Sequence, residues 1–369
     1  MATTTRPNDP ATTIVGPTEL QPPSRSWTRR VLRLVVGVVA VVALVALAGM
    51  TYQAAASSID DRNHPAPGVL VDVGGHRLHL WCTGSGTPTV VLESGLGGFS
   101  HDWSHLQPDI AVQTRVCSYD RAGYGWSEDA DSPLRSAEVA TGLQRLLSNA
   151  GEEGPFVLVG HSLGGLHVRS FARQYPDEVA AIVLVDSSHE NQAGRLTMLD
   201  PLDDLTLAGL RTCTRLSPLG LPRLLGAHGN AIPDSLDVSA EIRAAWESRL
   251  NQTRFCSTVI GELDAIEADI SQPRPPSGLG DIPLTVLSSG TGASIEDGID
   301  VDGVTDDDLA EATLVMADLQ RELAELSTTS VHHVIPDAGH YIHWDAPEAV
   351  AGAVHDTVEI WRTTESTGT

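Results

Sequence analysis

The sequence predicts an α/β fold, a mostly parallel sheet covered by helices on both faces, preceded by one N-terminal membrane helix. Three observations predict it. From residue 68 onward, short apolar runs alternate with longer amphipathic stretches. Runs that are apolar at every position fit strands buried on both faces, as parallel sheets require. One junction between such a run and a helix reads Gly160-His161-Ser162-Leu163-Gly164-Gly165. Ahead of it all stands Leu34–Met50, 17 uncharged residues built mainly from Val, Ala and Leu.

Taken in order, residues 1–30 are rich in Pro, Thr and Ser and read as a disordered cytoplasmic tail. Residues 31–50 read as a transmembrane signal anchor, with Arg25, Arg29, Arg30 and Arg33 on its N-terminal side. The positive-inside rule then leaves the N-terminus in the cytoplasm and sends the rest of the chain across the cell membrane. The competing reading is secretion after cleavage at Ala46-Leu47-Ala48 or Ala54-Ala55-Ala56. The apolar run is longer than a usual signal core, which favours the anchor.

A linker at 51–67 follows. Val69–Val73 and Arg77–Cys82 flank Gly74-Gly75 as a hairpin. Strands are expected at Thr89–Leu92, Arg115–Tyr119, Phe156–Val159, Ala181–Val185, Leu284–Leu287 and Val331–Ile335. Helices are expected at Ser136–Ala150, Leu163–Gln174, Leu309–Leu326 and Pro347–Trp361, from their apolar spacing. Residues 187–281 break the alternation with Leu-rich helical pieces and read as an inserted helical cap. The core is then 68–186 with 282–363, and 364–369 is a disordered tail.

Composition agrees. Of 369 residues, 41 % are hydrophobic and 19 % charged, a globular balance. Acids outnumber bases 48 to 23, and every base is Arg. A net charge of −25 argues against nucleic-acid binding, which needs a basic face to neutralise phosphates. The charge is divided, for residues 1–50 hold five Arg and two acids, whereas the remaining 319 hold 18 Arg and 46 acids. Four Cys occur, none in a zinc spacing, and an even number in an exported domain permits two disulfides.

The chemistry centres on Ser162. A G-x-S-x-G turn between a strand and a helix is a nucleophile elbow. Small residues at Gly160 and Gly164 let strand and helix approach, and the Ser sits at a helix N-terminus that favours developing negative charge. The base is expected late in the chain, at His340 in Ala338-Gly339-His340, with His343 the nearest rival. His161 and His167 read as packing or hydrogen-bonding residues. Trp103, Trp126 and Trp246 are candidate pocket walls, equally at home in a core.

The sequence resembles the α/β-hydrolase superfamily over roughly residues 68–363. The resemblance is carried by Ser94-Gly95-Leu96-Gly97-Gly98, by Tyr119-Asp120-Arg121-Ala122-Gly123-Tyr124-Gly125-Trp126-Ser127, by the Ser162 elbow and by Gly339-His340. With its long N-terminal span and Arg-only basic usage, the chain looks like membrane-anchored members from high-GC bacteria. The resemblance implies an eight-stranded sheet whose second and fourth strands are neighbours. Those strands carry Cys82 and Cys117, which would lie close enough to pair, and Cys213 and Cys256 of the cap would form the second pair.

The triad acid has two candidate positions. Most of the superfamily places it after the seventh strand, where no acid stands at the usual short distance and Glu296, Asp297 and Asp300 come later. Some members place it after the sixth strand, where Asp186 stands, the favoured choice. The oxyanion hole would combine the backbone N–H groups of Leu163 and Leu96, and Glu93 beside that loop alters its electrostatics. The implied activity is carboxylic-ester hydrolysis through an acyl-enzyme, acting on a small-molecule acyl substrate. The alternatives are another Ser-triad enzyme (amidase, peptidase, thioesterase or cofactor-free haloperoxidase) and a non-catalytic binding module. A Ser nucleophile argues against epoxide hydrolysis, whose practitioners in this fold use Asp. No cofactor and no metal is expected, since HExxH and clustered ligand spacings are absent from the sequence.

Overall fold

A computed structural model describes residue 1, residues 25–131, 133–229, 231–270, 278–292 and 301, and residues 303–367. The expected acids Glu296, Asp297 and Asp300 lie outside the described residues, as does most of the N-terminal tail.

Contacts divide the chain into two units, Met1–Ala48 and Gly49–Thr369. In the first, helix α1 (Arg25–Asn63) begins. Its stretch from Trp27 holds an 18-residue window apolar enough to cross a membrane, none of which is buried by protein. The linker expected at 51–67 is corrected here, because α1 runs on to Asn63. Ala54-Ala55-Ala56 favour helix, and nothing breaks it before Pro65. Tertiary contacts hold this last part: Asp60 pairs with Arg223 at 2.7 Å and Asp61 with Arg249 at 2.9 Å. The expected C-terminal tail is likewise helical as far as Thr367.

The second unit is built on an eight-stranded sheet: β1 (Val69–Asp72), β2 (Arg77–Thr83), β3 (Val90–Glu93), β4 (Val116–Tyr119), β5 (Phe156–His161), β6 (Val179–Val185), β7 (Leu284–Ser289) and β8 (Ser330–Ile335). The order is β1-β2-β4-β3-β5-β6-β7-β8. β2 runs antiparallel to β1 and β4, and every other pair is parallel. Gly74 and Gly75 turn the first hairpin with φ of 102° and 112°, which glycine adopts without strain. β5 and β6 are buried at every position, as an apolar run in mid-sheet must be.

The other helices of ten residues or more are α2 (Ser136–Ala150), α3 (Gly164–Gln174), α4 (Asp200–Leu216), α5 (Ala240–Leu250), α6 (Phe255–Ile270), α7 (Asp306–Ala324) and α8 (Pro347–Thr367). One face of the sheet packs Leu143 and Leu146 of α2 and Phe171 of α3 against β-strand residues such as Leu158 and Ile182. The other packs Val354 and Val358 of α8, with Trp103 and Ile110, against Val159 and Val183. Burying a side chain of this size contributes about 1.5–3 kcal/mol. Between β6 and β7 every regular element among the described residues is helical.

Two disulfides tie the unit. Cys82–Cys117 joins β2 to β4, where the two residues stand directly opposite in register. Cys213–Cys256 joins α4 to α6. These bonds leave no free cysteine.

Candidate active site

The site forms at the C-terminal ends of β3, β5, β6, β7 and β8. Ser162 follows β5 with φ 50°, and Asp186 follows β6 with φ 38°. They are the positive-φ non-glycine residues among the described residues, a conformation that surrounding structure must enforce. Here it does. The Ser162 N–H donates to Val185 O at 3.1 Å, and the Asp186 N–H donates to Leu287 O at 2.7 Å. Gly160 and Gly164 permit the turn, since a Cβ on Gly160 would lie 2.8 Å from Gly164 O and one on Gly164 would lie 2.5 Å from Glu93 O.

A chain of hydrogen bonds joins three of the expected residues. His340 Nε2 lies 3.0 Å from Ser162 Oγ, and His340 Nδ1 lies 2.7 Å from Asp186 Oδ2. A carboxylate only accepts, so Nδ1 carries the proton and Nε2 is left to accept the Ser162 hydroxyl. The second Asp186 oxygen accepts the Ser289 N–H at 3.0 Å. Asp186 is 5 % exposed, whereas the His340 side chain is 45 % exposed.

His161 and His343 support this chain from below. His161 Nε2 donates to His340 O at 3.0 Å. The His343 ring lies 4.3 Å from that of His161 and 4.6 Å from that of Trp103, fully buried and without a bond to Ser162. Burial, then neighbouring His residues, holds the imidazoles of His161 and His343 well below the usual value, so both are neutral.

The expected oxyanion donors flank Ser162. Gly95 is pressed so near that a Cβ there would lie 3.0 Å from Ser162 Cβ. Among the described residues the backbone N–H groups of Leu96 and Leu163 have no protein acceptor. Glu93 does not act as a free charge beside the loop. It is fully buried, bonded to Arg121 at 2.7 Å and to the Tyr119 hydroxyl.

Two cavities meet at Ser162. One, of about 320 Å³, is walled by Leu163, Leu166, Leu196, Leu199, Leu263 and Ile266. The other, of about 350 Å³, is walled by Trp246, Phe255, Tyr341 and Trp344 and includes Asp102 and His340. Burial pushes the Asp102 carboxyl up to about 7. Of the three candidate Trp walls, only Trp246 lines either of these two cavities; Trp103 is core, and Trp126 packs at a tilt against His79 and His101.

Sequence reasoning gave no role to the buried ion cluster beside the site. Arg121 Nε bonds Glu262 of α6 at 2.6 Å, and the Tyr124 hydroxyl donates to the same carboxylate at 2.7 Å. Burial alone would raise the Glu262 carboxyl, but Arg121 and His167 bring it down to about 2. Arg121 was visible as the lone cation of its glycine-rich motif; Glu262, 141 residues away, carried no local signal.

Fold and site together define a hydrolase of the α/β type. The chain belongs to the alpha/beta hydrolase fold family, whose model matches residues 88–347. It is 25 % identical over 289 residues to an AB hydrolase superfamily protein of Gibberella zeae, covering 74 % of this chain and 87 % of that one. A putative lipase of Acinetobacter baumannii superposes with a TM-score of 0.58 at 19 % identity, covering 84 % of this chain and 97 % of that one. An epoxide hydrolase of Bacillus megaterium superposes with a TM-score of 0.57 at 18 % identity, covering 79 % and 100 %. Such identities speak for the fold. The chain spans only about a third of the length of uncharacterised relatives from Schizosaccharomyces pombe and Bacillus subtilis (35 % and 37 %), each 31 % identical over the matched stretch.

Proposed function

We propose that the protein is a serine hydrolase of carboxylic esters, with Ser162, His340 and Asp186 as its triad. The observation that carries this reading is the unbroken hydrogen-bond chain from Ser162 Oγ through both His340 nitrogens to Asp186. Ser162 Oγ attacks the ester carbonyl carbon while His340 Nε2 takes its proton. Asp186 holds the imidazole and stabilises its charge. The tetrahedral oxygen is received by the Leu96 and Leu163 N–H groups. Collapse expels the alcohol, which leaves with the proton from His340. Water, deprotonated in turn by His340, then releases the acid and restores Ser162.

The Leu-rich cavity suits an apolar acyl chain, and the aromatic cavity suits the alcohol half. The helices described between β6 and β7 are read as a cap, because Leu263 and Phe255 of α6 each face one of the two cavities. We infer further that the apolar part of α1 is a membrane anchor, with its Arg cluster inside and the hydrolase body outside. The two disulfides suit an oxidising compartment.

A fluorophosphonate probe tests the reading. Wild type should be labelled stoichiometrically and hydrolyse p-nitrophenyl esters, while Ser162→Ala should do neither. Folded wild type that neither labels nor turns over any ester of a chain-length series would overturn it.

A further inference from the structure

Arg121 fans its guanidinium across the loop that carries one oxyanion donor. Nη1 donates to Ser94 O at 2.8 Å and Nη2 to Gly95 O at 2.6 Å. The Gly95 carbonyl and the Leu96 N–H belong to one planar trans peptide, so they point in opposite directions. Whatever fixes the first aims the second. Arg121 thus pulls the Gly95 oxygen to one side and turns the Leu96 N–H to the other, on a loop pressed against Ser162.

The guanidinium is itself held from two sides. Glu93, at the end of β3, takes Nη1 at 2.7 Å, and Glu262, on α6, takes Nε at 2.6 Å and Nη2 at 3.2 Å. The same helix places Leu263 and Ile266 in one cavity and Phe255 in the other. It also meets the loop directly, since a Cβ on Gly97 would lie 3.6 Å from the Val259 side chain. All three ions are buried, so none of these bonds can be replaced by water without opening the site.

We propose that Arg121 is a positioning residue for the acyl transfer, and that Glu262 makes its hold on the Leu96 peptide depend on the docking of helix α6. This rests on the serine-hydrolase reading. A substrate that fills the cavities and seats α6 thereby completes the oxyanion hole.

An oxyanion donor acts in the transition state and not on the ground-state ester, so its loss lowers kcat and leaves KM alone. Arg121→Met should lower kcat per fluorophosphonate-titrated site about 10²–10³-fold, the scale of losing one oxyanion donor, with KM within about threefold. Arg121→Lys should recover part of the loss. Glu262→Gln should lower kcat with the same split but by less, roughly tenfold, since the donor is loosened and not lost. An alkylboronic acid, whose adduct with Ser162 carries a tetrahedral oxygen, should lose affinity in step with kcat across the series. A merely structural role would lower the fraction of titratable sites and leave kcat per site and boronate affinity unchanged, and that result would overturn the proposal. Should Arg121→Met fail to fold, Glu262→Gln and Arg121→Lys carry the same test. An inactive, unlabelled wild type would instead sink the hydrolase reading on which the proposal rests.

Discussion

Two charged clusters lie side by side in this molecule and are built in opposite ways. Ser162, His340 and Asp186 form an open chain, for the His340 side chain at its middle is 45 % exposed and meets one neighbour through each nitrogen. Arg121, Glu93 and Glu262 form a closed knot, buried throughout, in which the guanidinium is bonded on every side. The chain moves one proton, between Ser162 and His340 Nε2, while Asp186 holds the ring and keeps its own charge. A knot holds a shape, because every bond opposes the movement of the others. Gly164 stands at the joint between them, with Glu93 and Ser94 carbonyls against its α-carbon.

The largest expected effect lies in the open chain. Asp186→Asn should lower kcat about 10⁴-fold with little change in Tm, by analogy with triad carboxylates elsewhere. Rates near wild type would mean that another acid, such as Asp297, orients His340.

Acid should strike the buried groups next. Burial holds the His101 imidazole down to about 4, and it holds those of His161 and His343 well below their usual value. A depressed folded pKa gives stability that is complete above the unfolded value of about 6.5 and is lost as pH falls towards the folded one. His101 alone accounts for roughly 3 kcal/mol between pH 6.5 and 4. Asp102, raised to about 7, works the other way and offsets about one histidine over this range. Glu262, at about 2, adds a further loss below pH 4.5. Urea midpoints should therefore fall from pH 6.5 to 4, and more steeply in Asp102→Asn, which lacks the offset. A flat profile would contradict the neutral, buried state of these imidazoles.

Gly164→Ala tests the joint. A Cβ there meets two backbone carbonyls at 2.5 and 2.6 Å, and backbone cannot swing aside as a side chain does. The expected destabilisation is about 1–3 kcal/mol, as for overpacking, with kcat lowered as well because elbow and oxyanion loop are forced apart. An unchanged Tm and rate would show that the two clusters are not rigidly joined. The smallest effect belongs to the surface. Arg77 pairs with Glu128 at 2.5 Å in full view of solvent, and Arg77→Ala should leave Tm and kcat unchanged within error.

How much of this was legible varies by residue. Ser162 was plain, because strand, turn and helix are consecutive and the glycines must flank the nucleophile. His340 followed from its place between a strand and the last helix. Asp186 was one of two candidates, because strand order, not spacing, decides which loop faces His340. Residues 51–63 read as a linker because isolated propensity is weak and the ion pairs of Asp60 and Asp61 lie far off in sequence.

By itself, then, the sequence determined the alternation of strands and helices, the sharp turn at Ser162, the apolar N-terminal span and the division of charge. All of these depend on residues within a few positions of one another. Tertiary structure alone decided that Glu262 meets Arg121 across 141 residues, that Glu93 is neutralised and that the two cavities join at the nucleophile. Those depend on how the helical segment after β6 lies over the sheet, which packing sets and no local pattern encodes.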